Sequence, residues 1–103
     1  TFLADRILYQ QATVLEELKR YTEAIQHHRK LILTQTESPL CPPSQMALAQ
    51  IYETRLRQYH EAKQAYETLL VRYPISFEAD LARERLRLLQ DKIQAIETPK
   101  ETG

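Results

Sequence analysis

The sequence predicts an all-α domain of about five helices paired as antiparallel hairpins, on three observations. The single glycine is Gly103, the last residue, whereas a β-rich or loop-rich fold of this size would need more glycine for its turns. The five prolines (Pro39, Pro42, Pro43, Pro74 and Pro99) leave three proline-free stretches, 1–38, 44–73 and 75–98. Each stretch carries apolar residues at helical spacing.

In the first stretch Leu8, Leu15 and Leu18 form one stripe, and Tyr21, Ile25, His28 and Ile32 form another. The rhythm slips across Lys19-Arg20. Thr22 then supplies a candidate N-cap and Glu23 a first-turn acid. Residues 36–43 read as a loop, with Cys41 inside it, because Pro39-Leu40-Cys41-Pro42-Pro43 is a poor helix segment. In the second stretch Leu48, Ala49, Tyr52 and Leu56 give way at Arg57-Gln58 to Tyr59, Ala62, Tyr66, Leu69 and Leu70. Periodicity alone leaves one long helix open in each of these two stretches. In the last, Phe77, Leu81, Leu86, Leu89, Ile93 and Ile96 share a face, and Ser76 is the expected cap of a helix over 77–97.

Self-comparison resolves the breaks. Arg20-Tyr21-Thr22-Glu23-Ala24 matches Gln58-Tyr59-His60-Glu61-Ala62 at an offset of 38 residues, and His28/Tyr66, Leu31/Leu69 and Ile32/Leu70 continue it. A repeated turn followed by a repeated helix is the mark of stacked supersecondary units.

This pattern resembles the tetratricopeptide repeat family, whose unit of about 34 residues is a helix hairpin. Ala24 and Ala62 match the small residue of the second helix, Tyr21 and Tyr59 the aromatic before it, Tyr66 the aromatic after it, and Pro74 the closing proline. Ala12 and Ala49 match the small residue of the first helix. The family's tryptophan and Leu-Gly pair are missing, and the second unit has one extra residue before its turn. The resemblance implies a right-handed superhelix: repeat 1 over 5–35, repeat 2 over 44–73, a capping helix over 77–97 and a disordered tail over 98–103. The Tyr66–Leu89 region is similar to repeats of bacterial cell-envelope members of the family, which implies an envelope location.

Composition narrows the function. Lys+Arg 14 balance Asp+Glu 14, so the basic surplus that nucleic acid or anionic lipid would need is lacking. No run approaches the ~20 apolar residues of a membrane span. The opening Thr1-Phe2-Leu3-Ala4-Asp5, without initiator methionine, reads as the start of a piece of a longer protein. A single cysteine excludes an intrachain disulfide and multi-cysteine metal sites. His27 and His28 are neighbours that point ~100° apart on a helix, so no metal site is expected. Glu16, Glu17 and Glu53 read as solvated helix ends. No nucleophile–base pair or phosphate loop stands out, so neither catalysis nor a cofactor is expected.

The resemblance implies binding of another protein or peptide in a concave groove lined by the first helix of each pair. Carried over, Arg6, Tyr9, Thr13 and Glu16 would face it from the first unit, Met46, Gln50 and Glu53 from the second, and Arg85 from the last helix. The residues that clamp a peptide carboxylate in chaperone-binding members have no match. Two hairpins are fewer than the three units that usually make a stable stack. The outer side of the first hairpin is therefore expected to lack cover, with a preceding repeat or self-association as its remedy. The alternative function is a purely structural solenoid segment or self-association domain.

Overall fold

The computed structural model describes residues 3–98 and contains five α-helices. They are α1 (Ala4–Glu17), α2 (Tyr21–Thr34), α3 (Cys41–Gln50), α4 (Tyr59–Arg72) and α5 (Glu78–Glu97). A π-helical turn, Ile51–Arg55, extends α3. Helix α1 packs on α2, α2 on α3, α3 on α4 and α4 on α5, with α5 also touching α3. Its extents of 60 × 31 × 17 Å describe an elongated helical repeat. Of the expected tail, Thr98 closes α5 through its N–H to the Gln94 carbonyl (2.9 Å); the remainder lies outside the described residues.

Both expected breaks are present, and they share one device. Lys19 and Arg57, 38 residues apart, adopt the left-handed conformation with φ of 63° and 52°. At the first break the Lys19 and Arg20 N–H groups bond back to the Glu16 and Leu15 carbonyls (2.9 and 2.8 Å). That is the Schellman pattern, which satisfies the last carbonyls of α1 and turns the chain. Thr22 is not the cap: α2 starts at Tyr21 without a side-chain cap bond. Glycine adopts this backbone without the β-carbon clash. Lys19→Gly or Arg57→Gly should therefore raise stability by about 0.5–1 kcal/mol, seen as a higher urea midpoint at unchanged slope.

The extra residue of the second unit becomes the π turn. Ala12 and Ala49 are 37 apart, while Ala24 and Ala62 are 38 apart. Between them Leu56 N–H reaches back five residues to Ile51 (3.0 Å) and Gln58 N–H six residues to Tyr52 (2.8 Å). A π turn absorbs one added residue without shifting the helix on either side.

Three local expectations are corrected. Cys41 is not in a loop: it begins α3, with Pro42 and Pro43 in the first turn, where the missing N–H has no intrahelical partner to lose. Ser76 does not cap α5; its hydroxyl donates to the Tyr73 carbonyl (2.8 Å). The buried face of α5 is Ala79, Ala82, Leu89 and Ile93, with Leu86 half-buried, whereas Phe77, Leu81 and Ile96 are exposed. The two alanines let α5 lie close to α4, which shifts its contact face away from the larger residues. Lys92 over the Tyr59 ring (5.2 Å) and His60 against Glu97 (2.7 Å) hold the far end of α5 to the start of α4.

Ala12, Ala24, Ala49, Ala62 and Ala82 are all fully buried. The first four mark the helix crossings that the repeat pattern located. Leu31, Ile51, Tyr66, Leu69 and Leu89 fill the space between them.

Candidate protein-interaction surface

Helix α3 is enclosed by α2, α4 and α5, and this governs where the expected groove residues lie. Arg6 and Thr13 of α1 are exposed, as is Gln50 of α3. Tyr9 and Glu16 are half-buried. Met46, by contrast, is 5% exposed and packs in the core, and Glu53 is 7% exposed. Arg85 is half-buried.

Glu53 is not the solvated helix-end acid that the sequence suggested. Its carboxylate joins three helices. The Tyr66 hydroxyl of α4 donates to Oε1 (2.7 Å), and Arg85 of α5 donates through Nη2 to Oε2 (2.5 Å) and through Nε to Oε1 (3.3 Å). A buried carboxylate needs such donors, because its hydration is lost. Burial, and then the bond to Glu53, push the Tyr66 phenol far above its usual range. The bond to Glu53 raises Arg85 in turn. The neighbouring arginines stay on the surface: Arg83 pairs with Asp80 (2.6 Å) and Arg87 with Glu84 (2.8 Å).

The first unit has no such bridge. His28 stands where Tyr66 stands in the second and is 1% exposed. The Tyr9 ring meets it edge-on, with centroids 5.5 Å apart. His28 Nδ1 is buried without a hydrogen-bond partner. Burial, then the neighbouring His27, lower its pKa to about 4, so the ring is neutral. His27 is half-buried rather than fully solvent-facing, its Nδ1 lying 2.9 Å from the Glu23 carbonyl. Cys41 is also buried; its thiol points to the Gln35 carbonyl (3.1 Å), and burial raises its pKa. A low-pKa, accessible thiol is thus not on offer. No group of three or more His, Cys, Asp or Glu residues suited to a metal ion exists among the described residues.

Sequence reasoning gave less weight to the exposed apolar residues. Leu3, Ile7, Val14 and Leu18 are each at least half-exposed. Their spacing of four, seven and four puts them on one stripe of α1. Leu18, assigned to the inner stripe, is the residue that ends α1 and is 60% exposed. The signal was legible in the spacing, but helix faces can be ranked only once the neighbours are known. No described helix is long and apolar enough to cross a membrane.

No curated protein and no solved structure matches the chain. Residues 42–74, which take in α3 from Pro42, the π turn and α4, match the family model of the tetratricopeptide repeat. The second hairpin is therefore similar to a tetratricopeptide repeat, a unit that in general serves as a non-enzymatic protein-interaction module, set here in an all-α helical repeat fold.

Proposed function

We propose that the domain is a protein-interaction segment of a larger repeat protein, holding a partner peptide or helix across the surface of α1, α3 and α5. What supports this reading is that Arg6, Thr13 and Gln50 are exposed and Tyr9 and Glu16 half-buried on the first helices of the two units. Beside them, Arg85 is anchored by Glu53 (2.5 Å) and leaves about a third of its side chain accessible. Polar and aromatic groups held by a rigid scaffold are suited to recognition.

A second reading, self-association, is favoured by the apolar stripe Leu3, Ile7, Val14 and Leu18 on α1. One set of variants separates the two. A partner recovered by affinity capture from the source cells should be lost with Tyr9→Ala and with Gln50→Lys, while the domain sediments as a monomer. Unchanged recovery with both variants would sink the groove assignment. A dimer that Val14→Asp dissociates would establish self-association instead.

A further inference from the structure

Helix α1 carries an apolar face that the rest of the described chain leaves open. Leu3, Ile7, Val14 and Leu18 are 51–60% exposed. Between Ile7 and Val14 the face opens into a groove of about 370 Å³. The spacing of four, seven and four reads the same in both directions. Turned end over end about the midpoint of Gln10 and Gln11, the helix brings Leu3 onto Leu18 and Ile7 onto Val14. Leu3 and Leu18 cap α1, so the match runs the whole length of the helix, about 22 Å.

The polar residues along this face are arranged in the same sense. Arg6, Gln10 and Glu17 lie along one edge of it and Gln11 along the other. Arg6 and Glu17 are exposed. Neither forms an ion pair among the described residues, whereas Arg20, Arg83, Arg85 and Arg87 do. Along α1 they stand about 16 Å apart, too far to meet within one chain.

We propose that this face binds a second copy of itself, the two α1 helices lying antiparallel about a two-fold axis through Gln10 and Gln11. The inference rests on the self-association reading above and gives it a geometry. A two-fold sets each edge of the face against the same edge of the other copy. Arg6 then comes within a turn of the partner's Glu17, and the same pair forms a second time by symmetry. Gln10 and Gln11 meet their own counterparts, and an amide both donates and accepts, so these contacts are satisfied. A stacked repeat hairpin fits this face less well. At the offset of 37 residues Ile7, Gln11 and Val14 correspond to Ser44, Leu48 and Ile51 of α3, all buried within the stack. Gln11 would put a polar amide where the stack buries a leucine, at the cost of an unpaired group. A seam one helix wide is well below the ~800 Å² per partner of a standard interface. The pair is therefore weak, and the dilute domain sediments as a monomer.

Sedimentation velocity on the whole domain over a concentration series reads the pair, at low ionic strength where exposed charges are least screened. A monomer–dimer equilibrium is expected, and Val14→Asp should remove it. Arg6→Glu and Glu17→Arg, each alone, should weaken it at least about tenfold, because each sets two like-charged pairs across the seam. Mixed in equal amounts, the two variants should dimerise within about twofold of wild type, since every such contact is again between opposite charges. All three positions are exposed, so circular dichroism should report an intact fold. Single variants that dimerise like wild type, or a mixture that stays monomeric, overturn the two-fold seam while leaving self-association standing. Oligomers that keep growing with concentration overturn it too, since a closed pair stops at two. A monomer at every concentration, or a dimer untouched by Val14→Asp, overturns both this seam and self-association through α1.

Discussion

Replacing Glu53 with alanine should destabilise the domain by about 3 kcal/mol, the lower end of the cost of breaking a buried ion pair. The lower end applies because Arg85 keeps 34% of its side chain exposed, so water recovers part of its solvation. Tyr66 has no such recourse. It is fully buried, and its hydroxyl loses the carboxylate that accepts its hydrogen bond. An unsatisfied buried donor carries its own penalty. Domains of this size are stable by only about 5–15 kcal/mol, so this one contact is a large share. Tyr66→Phe should cost about 1 kcal/mol, since it removes one hydrogen bond and leaves the ion pair intact. In the double variant the two costs should fall short of adding, because Tyr66 and Glu53 share the bond. Urea unfolding followed by circular dichroism measures all three. A Glu53→Ala midpoint indistinguishable from wild type would show that the bridge contributes nothing net.

Acidification should weaken the fold through His28. Its pKa is about 4 in the folded domain, against 6.5 for an unperturbed histidine. Between these values the unfolded chain takes up a proton that the native site refuses, so stability falls as pH falls. The contribution is fully present above about 6.5 and is lost by about 4. The size of the loss is on the order of 3 kcal/mol. Asp5 adds to the acid loss, since its bond to Ser38 lowers its pKa. The His28 share is therefore read as the difference from His28→Phe, which keeps a ring against Tyr9 and cannot be protonated. The variant should lose markedly less stability than wild type across that window. Parallel pH profiles for the two proteins would refute the assignment. Titration of the His28 ring by NMR gives a second check, with its midpoint expected near 4.

Burial of these two groups also separates what could be read in the sequence from what could not. The repeated Tyr-x-Glu-Ala turn located both hairpins, and the alanines at 12, 24, 49 and 62 are where the helices cross. The slips at Lys19-Arg20 and Arg57-Gln58 became left-handed turns at equivalent positions. The extra residue of the second unit was visible as a change of offset from 37 to 38, though not its form as a π turn. Capping was the weakest guide. Thr22 and Ser76 looked like N-caps and were not, because the residues around them already had backbone partners in the tight turns.

The site was less legible than the fold. Met46, Gln50 and Glu53 fall on the same side of α3 by helical spacing, yet Met46 and Glu53 are buried and Gln50 is exposed. No periodicity could rank them, because three other helices contact α3 and each removes a different part of its surface. In the same way Arg83, Arg85 and Arg87 look alike in sequence, and only the arrival of α5 beside the π turn sends Arg85 inward to a carboxylate. By itself the sequence determined the hairpins, their order and the small residues at their crossings, since local spacing and turn chemistry suffice for these. The tertiary structure alone decided which side chains are buried and which meet a partner, because that depends on helices distant along the chain closing over one another.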